Sequence, residues 1–479
     1  MGSFDIMPLL PEIFLILTAM GFLMVGVFQG NKTTDVLCWS SCASCIIAIF
    51  LITGEDITSV RYLLNGMLVL DPFAVTMKLI ILIGIIYSLA LSVQYIYQER
   101  IARFEYPVLI MFAGIGMLFM VSANNFLSLY MALELQSLSL YVLAAFHRNS
   151  LRSSEAAAKY FILGALSSGM LLFGISLVYG FTGSLDFTII NNTLSQMELM
   201  PPGFTVGMVF ILAAIAFKVS AVPFHMWTPD VYQGAPTSVT AFFAIAPKIA
   251  ALAMLIRVLF VPFEAAIDQW TQVLYLISLA SLFFGSFAAI AQNNIKRLIA
   301  YSSIANMGYA LIGVIAGTAE GVASVIVFLS IYMVMTAGTF AVILCMRRND
   351  ISVEKISDLS GLSKTQPVLA YAMAALMFSM SGIPPMAGFF GKLFIFNAAV
   401  ASGFYVLAVL GILASVVSAF YYLRIIKVMF FDDASDPFDS VISFEKRLVL
   451  LFSMAFILGF IFYPNFILNS ATIAAEALF

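Results

Sequence analysis

The chain has 479 residues, of which 62% are hydrophobic and 10% are charged, and its formal net charge is −3. Soluble domains carry about 25% charged residues, so no soluble fold could bury this much apolar surface. The slight acidity also excludes a nucleic-acid-binding protein, which needs a basic face to displace counterions from phosphates.

The N-terminal residues Met1 to Asp5 lack the basic stretch of a signal peptide and lead directly into an apolar segment, which is expected to remain as the first helix. Because about 20 apolar residues span a hydrocarbon core, cutting the chain at polar residues and Pro or Gly breaks predicts an all-α integral membrane protein of about fourteen transmembrane helices. The predicted spans are 8–28, 36–53, 73–97, 107–123, 126–146, 156–180, 204–222, 237–261, 270–292, 297–317, 321–346, 367–400, 403–430 and 447–468.

The second predicted span contains Cys38, Cys42 and Cys45 in a C-x3-C-x2-C run. Such a run suggests iron–sulfur or zinc ligation when a fourth ligand lies nearby. Because the remaining Cys345 lies at the end of another helix, we interpret these cysteines as small buried residues that pack helices, and no metal is expected.

Basic loop residues follow the odd-numbered spans almost exclusively. The loops after even-numbered spans carry Arg61 alone among basic residues, beside acids that include Glu55, Asp56 and Asp186. The excess of Lys and Arg in cytoplasmic loops therefore predicts a multi-pass protein with both termini facing outward, which in the expected bacterial inner (plasma) membrane is the periplasmic side. Residues 186–199 are expected to form a short surface connection, and no linker interrupts residues 1–479, which we treat as one membrane domain.

Two predicted spans contain proline breaks. They are IAFKVSAVPFHMWTPDVYQGAP in the seventh span and SMSGIPPMAGFFGKLFIF in the twelfth. Carbonyls freed by proline are tolerated at membrane depth only where protein or a wet cavity satisfies them, although a kink without function is the alternative. Breaks five helices apart predict two inverted repeats, helices 4–8 and helices 9–13.

This organisation divides the chain into four parts. They are 1–106 for helices 1–3, 107–262 for the first repeat, 268–430 for the second repeat and 446–479 for the C-terminal helix, which ends in a short tail from Asn469 to Phe479.

Six basic residues fall within predicted spans: Lys78, Lys159, Lys218, Lys248, Arg257 and Lys392. Lys78, Lys159 and Arg257 lie within a turn or two of a helix end, where long side chains can reach the headgroups. We predict that Lys78 and Arg257 extend to the headgroups in this way.

Lys218, Lys248 and Lys392 are predicted to lie deep in the membrane, together with Glu134, the one acid in the middle of a predicted span. An ionisable group at this depth costs a few kcal/mol and marks a functional pathway, the alternative being an ion pair that only holds two helices together. Burial favours the neutral form of a lysine and a nearby carboxylate favours the charged form, so a moving acid can switch a lysine between holding and releasing a proton. The pattern is typical of a proton pump.

His225 follows Pro223 by two residues and is predicted to pass protons toward Lys248, although a lone histidine is often structural. His147, at the end of the fifth span, is expected to be interfacial. With only these two histidines, with no phosphate-binding loop and no dinucleotide fingerprint, the chain is expected to hold no redox centre, cofactor or metal.

Three stretches carry a resemblance to a known family: FKVSAVPFHMWTPDVYQGAPTSVTAFFAIAPKIAAL, NNIKRLIAYSSIANMGYAL and SGIPPMAGFFGKLFIF. They resemble the antiporter-like subunits of respiratory complex I, the proton-translocating NADH-quinone oxidoreductase, a family shared with multisubunit cation/proton antiporters. Within it the sequence is most similar to the subunit N branch, called subunit 2 in mitochondria. The predicted helix count matches the family over essentially the whole chain.

The resemblance implies that Glu134 pairs with Lys218, that Lys248 is the central relay lysine, and that Lys392 and Lys159 are further members of a proton relay. It also implies that NADH oxidation and quinone reduction, with FMN and iron–sulfur clusters, take place in partner subunits. This chain would translocate a proton beside sister antiporter-like subunits in the lipid bilayer.

Two other functions compete with this interpretation. A stand-alone or Mrp-type Na⁺(K⁺)/H⁺ antiporter subunit would need oxygens that coordinate a cation, whereas a lysine-rich buried set with a single acid repels metal cations. A purely structural membrane scaffold is disfavoured because charges at mid-membrane are costly.

Overall fold

A computed structural model describes residues 7–54, 60–439 and 442–479. The predictions that concern Met1 to Asp5, and the acids Glu55 and Asp56, lie outside the described residues.

The described part of the chain contains nineteen α-helices, four short 3₁₀ helices and two short antiparallel hairpins. The first eleven helices are α1 (Leu10–Gln29), α2 (Thr34–Thr53), α3 (Pro72–Gln98), α4 (Glu105–Ser122), α5 (Phe126–Ala144), α6 (Leu151–Thr182), α7 (Phe187–Ser195), α8 (Pro202–Val219), α9 (Trp227–Gly234), α10 (Thr237–Phe260) and α11 (Ile267–Ile290). The remaining helices are α12 (Ile295–Ile315), α13 (Ala319–Ile343), α14 (Leu362–Thr365), α15 (Pro367–Ser381), α16 (Ala387–Ala401), α17 (Tyr405–Phe431), α18 (Phe444–Gly459) and α19 (Asn465–Glu476). Strand β1 (Arg61–Leu63) pairs with β2 (Leu68–Leu70), and β3 (Arg347–Arg348) pairs with β4 (Ile351–Ser352).

The predicted all-α membrane fold is confirmed. Eleven helical stretches within the described residues are long and apolar enough to cross a membrane, and one of them, Met7–Thr53, contains both α1 and α2. The shorter apolar helices α15 and α16 correspond to the interrupted twelfth span, and α18 overlaps the predicted fourteenth span. Each of the fourteen predicted spans therefore corresponds to one or two helices, with the whole of α10, and α13 from Gly321 onward, buried at the centre.

The seventh and twelfth spans are both broken, as predicted, and they break in the same way. Helix α8 ends before Ser220 and α15 ends before Gly382, and both residues adopt the left-handed conformation, with φ of 69° and 83°. In each break the N–H of the next residue donates a hydrogen bond to a carbonyl near the end of the helix. Ala221 N–H donates to the Ala216 carbonyl at 2.8 Å, and Ile383 N–H donates to the Phe378 carbonyl at 3.1 Å. This hydrogen-bond pattern closes a helix C-terminus and frees the chain to change direction.

A second motif recurs between the two repeats. Asn125 caps α5 and forms an antiparallel bridge with Asp186, while Asn294 caps α12 and forms the same bridge with Lys355. The two bridges join residues at the same separation along the chain. Because the copies begin five spans apart, the equivalent motifs lie at opposite faces of the membrane, as inverted repeats require.

One face of the bundle, here called the basic face, carries hairpin β3–β4 and the contacts of several Lys and Arg side chains. At this face Lys296 contacts Glu354, Arg424 donates to the Asn293 side chain, and Arg347 contacts Glu99. The opposite face carries hairpin β1–β2 and α7. Lys296, expected in a loop, is instead the second residue of α12 and is buried.

Two segments differ from the predicted elements. The surface connection 186–199 contains α7, capped by Asp186 and amphipathic because Phe187, Ile190 and Leu194 lie on one buried face. The C-terminal part, predicted as one helix with a short tail, contains α18 and the further helix α19, which packs against α3 and α13. Burial of Ala471, Ala474 and Ala475 explains why this second helix docks on the bundle.

The prediction that Lys78 and Arg257 extend to the headgroups is wrong. Lys78 Nζ lies 2.6 Å from Glu12 Oε1, and both side chains are buried between α1 and α3. Arg257 on α10 donates to both carboxylate oxygens of Asp71, at 2.6 and 2.8 Å, and to the Val121 carbonyl at 3.1 Å. A nearby buried carboxylate removes the need to reach water, because paired and hydrogen-bonded charges are tolerated in the interior.

Candidate functional site

Lys218 lies in the last turn of α8, directly before the break in the seventh span, and is buried. Its Nζ donates to Ser137 Oγ at 2.7 Å and to the Tyr141 hydroxyl at 3.4 Å, both on α5. The rings of Tyr141 and Phe217 lie with their centroids 5.6 Å from the same nitrogen. The ammonium is therefore surrounded by neutral hydroxyls and aromatic rings.

Glu134 is half-buried on α5 and accepts a hydrogen bond from Ser168 of α6. Among the described residues no ion pair joins Glu134 to Lys218, which the resemblance implies are partners. Lys218 instead contacts Ser137, about one helical turn after Glu134 on the same helix.

Lys248 lies in the middle of α10 and is buried. Its Nζ lies 3.5 Å from the carbonyl oxygen of Val219, the last residue of α8, and 5.7 Å from the centroid of the Tyr232 ring. Lys248 therefore contacts the main chain immediately next to Lys218. The C-terminal end of a helix carries partial negative charge, which favours a cation there.

Lys392, on α16, occupies an equivalent environment at the second break. Its Nζ donates to the carbonyl of Ser381, the last residue of α15, at 3.1 Å and to Ser415 Oγ at 2.9 Å. The Tyr309 ring centroid lies 4.7 Å from the nitrogen. A cavity of about 440 Å³ adjoins this lysine between α16 and α17. Each repeat thus places one buried lysine on the terminal carbonyl of its first half-helix.

His225 lies within the break between α8 and α9 and is buried. Its ring packs edge-to-face against Phe284 of α11 with centroids 4.6 Å apart, and its Nδ1 is buried without a hydrogen-bond partner among the described residues. No hydrogen bond within the described residues joins His225 to Lys218 or Lys248. The histidine therefore lies beside the break but is not in direct contact with either lysine.

Lys159 is less buried than the other candidate lysines, with 43% of its side chain exposed. Its Nζ lies 2.8 Å from Glu155 and 2.8 Å from Asp230 of α9, and Asp230 also accepts from Arg297 of α12 at 2.7 Å. These side chains line a polar cavity of about 240 Å³ at the basic face, together with Arg152. Lys159 therefore belongs to a charged cluster at the surface end of α9 rather than to the interior.

The cysteine run lies in α2 with all three thiols buried, and Cys45 Sγ lies 3.9 Å from Met111 Sδ. No group of His, Cys, Asp and Glu within residues 7–54, 60–439 and 442–479 has the arrangement of a metal site.

Several polar residues of the site are not predicted from the sequence. Ser137, Ser168 and Ser415 hydrogen-bond the candidate charges, and Asp230 joins Lys159 to Arg297. Asp230 follows Pro229 within the broken seventh span, a position that could have singled it out. The serines carry no such signal, because a serine in an apolar helix more often bonds its own backbone.

Comparison with known proteins places this geometry in a family. Residues 123–418 match the sequence family described as NADH:quinone oxidoreductase/Mrp antiporter, TM. NADH-quinone oxidoreductase subunit N from Parvibaculum lavamentivorans is 53% identical over 477 residues, with 99% of this chain and 98% of the relative covered. The chain belongs to the subunit N family. The predicted resemblance is confirmed.

Solved structures agree with the membership of the subunit N family. A chain of respiratory complex I from Thermus thermophilus is 30% identical with a TM-score of 0.82, covering 97% of this chain and 99% of that one. A chain of the Mrp complex from Dietzia sp. DQ12-45-1b is similar with a TM-score of 0.85 at 20% identity, covering 99% and 98%. The second likeness shows the shared fold alone.

Proposed function

We propose that the chain is a proton-translocating membrane subunit of a bacterial NADH-quinone oxidoreductase, and that it couples quinone reduction in other subunits to proton transfer between buried side chains. The observation that carries this proposal is the pair of lysines on freed carbonyls, Lys248 on Val219 and Lys392 on Ser381. A lysine held by neutral groups can release its proton without leaving a paired carboxylate uncompensated, as a relay requires.

Each candidate residue has a role in this proposal. Glu134 controls the charge of Lys218, which exchanges a proton with Lys248, and Lys392 is the terminal member in the second repeat. His225 assists transfer at the first break. Lys159, through Asp230, connects the relay to the basic face, because α9 also carries the Tyr232 ring that contacts Lys248.

The rest of the catalytic machinery belongs to partners in this proposal. NADH, FMN, the iron–sulfur clusters and the quinone are held by other subunits, and this chain contributes no redox centre, cofactor or metal. It lies among sister antiporter-like subunits in the bacterial inner membrane with both termini on the periplasmic side. Its functional units are the repeats 107–262 and 268–430, preceded by 1–106 and followed by 446–479.

The test replaces Lys218 with alanine in the whole complex. We expect Lys218→Ala to assemble but to pump clearly fewer protons per NADH oxidised, measured by acidification of vesicles during NADH:quinone turnover. The matched control is Lys427→Ala, because Lys427 is 65% exposed and pairs with Asp432 near the end of α17. Wild-type pumping by Lys218→Ala would overturn the proposal, and Na⁺/H⁺ exchange by the isolated chain in liposomes would support the antiporter instead.

A further inference from the structure

An apolar groove of about 870 Å³ runs between α15 and α18, and we call it the α15–α18 groove. Val368 and Tyr371 of α15 and Leu451 and Leu458 of α18 line it, and all four side chains are largely exposed. Arg447 is the one charged residue among the described residues that line the groove. The groove therefore faces away from the bundle interior and offers an apolar surface with a single cation.

Small residues and a shared support give the groove its depth. Ala372 of α15 and Ala455 of α18 line it with short side chains. Both helices pack against the central helix α13, where a Cβ at Gly338 would lie 2.9 Å from Leu376 of α15 and 2.9 Å from Ser453 of α18. Because both helices are held on α13, the space between them stays open on the outer side.

The groove ends at the basic face. Lys446, beside Arg447, is buried and donates to the carbonyl of Leu344, three residues before strand β3. The exposed Arg447 side chain has no ion pair or hydrogen bond among the described residues. Glu445 lies two residues before Arg447, so the two side chains point to different sides of α18. Arg447 is thus free to bind an anion at the mouth of the groove.

The length of the groove fits one leaflet of a membrane. Its lining residues on α18 extend from Arg447 to Leu458, about 16 Å along the helix axis at a rise of about 1.5 Å per residue. A leaflet contributes about half of the roughly 30 Å hydrocarbon core, which is about 15 Å. Tyr371, whose ring packs edge-to-face on Phe430, lies near the Arg447 end, where aromatic side chains favour headgroup depth.

We propose that the α15–α18 groove binds an anionic phospholipid of the leaflet at the basic face. One acyl chain lies along the groove, and the phosphate pairs with Arg447, whose planar guanidinium suits phosphate oxygens. Charge complementarity and the matching length favour this occupant. The lipid would hold α15 against α18, and α15 is the half-helix whose last carbonyl, that of Ser381, accepts from Lys392.

The test uses the purified whole complex, stripped of lipid in detergent, and measures thermal release of this subunit as phospholipid is added back. A ligand that binds only the folded subunit stabilises it as its concentration rises. We expect anionic phosphatidylglycerol to raise the release temperature clearly more than phosphatidylcholine, which carries no net charge. Equal stabilisation by the two lipids at the same concentration would overturn the proposal.

Arg447→Gln removes the charge at the mouth of the groove. We expect this variant to need about tenfold more phosphatidylglycerol for the same rise, because a hydrogen bond to a charged group is lost. Arg447→Lys keeps the charge and should retain most of the response. The matched control is Arg103→Gln, since Arg103 is exposed in the turn between α3 and α4. Equal responses of Arg447→Gln and Arg103→Gln would contradict the proposal.

Ala455→Phe places a ring in the groove itself. We expect this variant to assemble and to lose most of the response to phosphatidylglycerol, whereas Ala43→Phe, at an exposed position of α2, should keep it. If Ala455→Phe prevents assembly and Arg447→Gln responds to phosphatidylglycerol as the wild type does, a helix of a partner subunit occupies the groove and the lipid site is rejected. None of these measurements depends on proton pumping, so rejection would leave the proposed function unchanged.

Discussion

Lys78 and Arg257 each contact a buried carboxylate, whereas Lys218, Lys248 and Lys392 contact hydroxyls, rings and carbonyls. Removing one partner of a buried ion pair strands the other charge, so a paired lysine has little freedom to change protonation. The unpaired lysines have no such constraint. Contact partners therefore separate the buried basic residues that hold helices together from those proposed to move protons.

The Lys78–Glu12 pair tests this distinction. We expect Lys78→Met to destabilise the subunit by about 3–5 kcal/mol, because Glu12 is left buried and unpaired. The double variant Lys78→Met with Glu12→Gln is expected to recover most of that loss. Thermal release of the subunit from the purified complex measures both.

Lys32→Met serves as the control for these variants, since Lys32 is exposed at the turn between α1 and α2. Protons pumped per NADH should stay normal in whatever fraction of the Lys78→Met complex remains assembled. A double variant as unstable as the single one would show that Glu12 is not the group left stranded.

At the scale of elements, the two broken spans share one geometry, but the lysine at each break comes from a different helix of its repeat. The last residues of α8 and α15, Val219 and Ser381, both accept from a lysine, but Lys248 comes from the following helix α10 and Lys392 from the second half-helix α16. The position equivalent to Lys392 in the first repeat, counted from the prolines Pro223 and Pro385, is Asp230. Both repeats therefore have a free helix-end carbonyl that binds a lysine, but the lysine comes from a different helix in each repeat.

The break in the twelfth span predicts the effect of Gly382→Ala. A Cβ at this glycine would lie 3.1 Å from Lys392 Cδ and 3.4 Å from Nζ, and its φ of 83° disfavours any side chain. We expect a stability loss of about 1–2 kcal/mol from the backbone and, in addition, lower proton pumping because Lys392 is displaced from Ser381.

Gly403→Ala is the matched control for this prediction. Gly403 has the same φ of 83°, and a Cβ there meets nothing within 4 Å. The two variants should lose similar stability, measured by thermal release of the subunit, while only Gly382→Ala pumps poorly. Equal pumping by both would show that the position of Lys392 does not limit proton transfer.

At the scale of the whole molecule, hydrogen bonds and ion pairs at the basic face hold the two repeats together. Lys296 of α12 donates to the carbonyls of Gln233 and Ala235 at the end of α9, at 3.1 and 2.8 Å, and lies 3.0 Å from Glu354. Asp230 connects the same short helix to Arg297. The half-helix α9 is therefore held by the second repeat while its Tyr232 contacts Lys248 of the first, so movement between the repeats would reach the relay directly.

The charge of Glu354 is expected to make the contact between the two repeats at the basic face depend on pH. Burial works against its ionisation, but Lys296 and the Asn294 side chain outweigh that effect and hold the pKa of Glu354 below its ordinary value. A carboxylate with a lower pKa in the folded protein stabilises it above the ordinary pKa, and the contribution is lost as the pH falls through the folded value. We therefore expect Glu354→Gln to lower the thermal stability of the subunit at neutral pH.

In acid the difference between Glu354→Gln and the wild type should disappear, as seen in melting curves of the complex between about pH 7 and pH 3. Glu198→Gln is the control, because Glu198 is exposed in the loop after α7. A destabilisation by Glu354→Gln that persists unchanged at the lowest pH would show that packing, and not charge, holds the junction.

Hydropathy and proline positions were sufficient to predict the spans, the two breaks and the inverted repeats. These two signals predict the fold well because lipid cannot satisfy backbone polar groups. Every crossing must therefore be a helix, and a break needs a proline and protein around it. Lys218, Lys248 and Lys392 were recognisable for the same reason, since charge in a long apolar segment is costly wherever the helix packs.

The contacts that buried side chains make between different helices could not be predicted in this way. Glu12 with Lys78, Asp71 with Arg257, and Tyr332 with Ser303 are contacts between different helices, and nothing in one helix specifies which residues of another it meets. The helix α19 was missed because its small alanine face gains its burial only against α3 and α13. Local sequence therefore determined which segments cross the membrane and where charge is buried, whereas helix packing decided which buried basic residues contact a carboxylate and which contact hydroxyls and carbonyls.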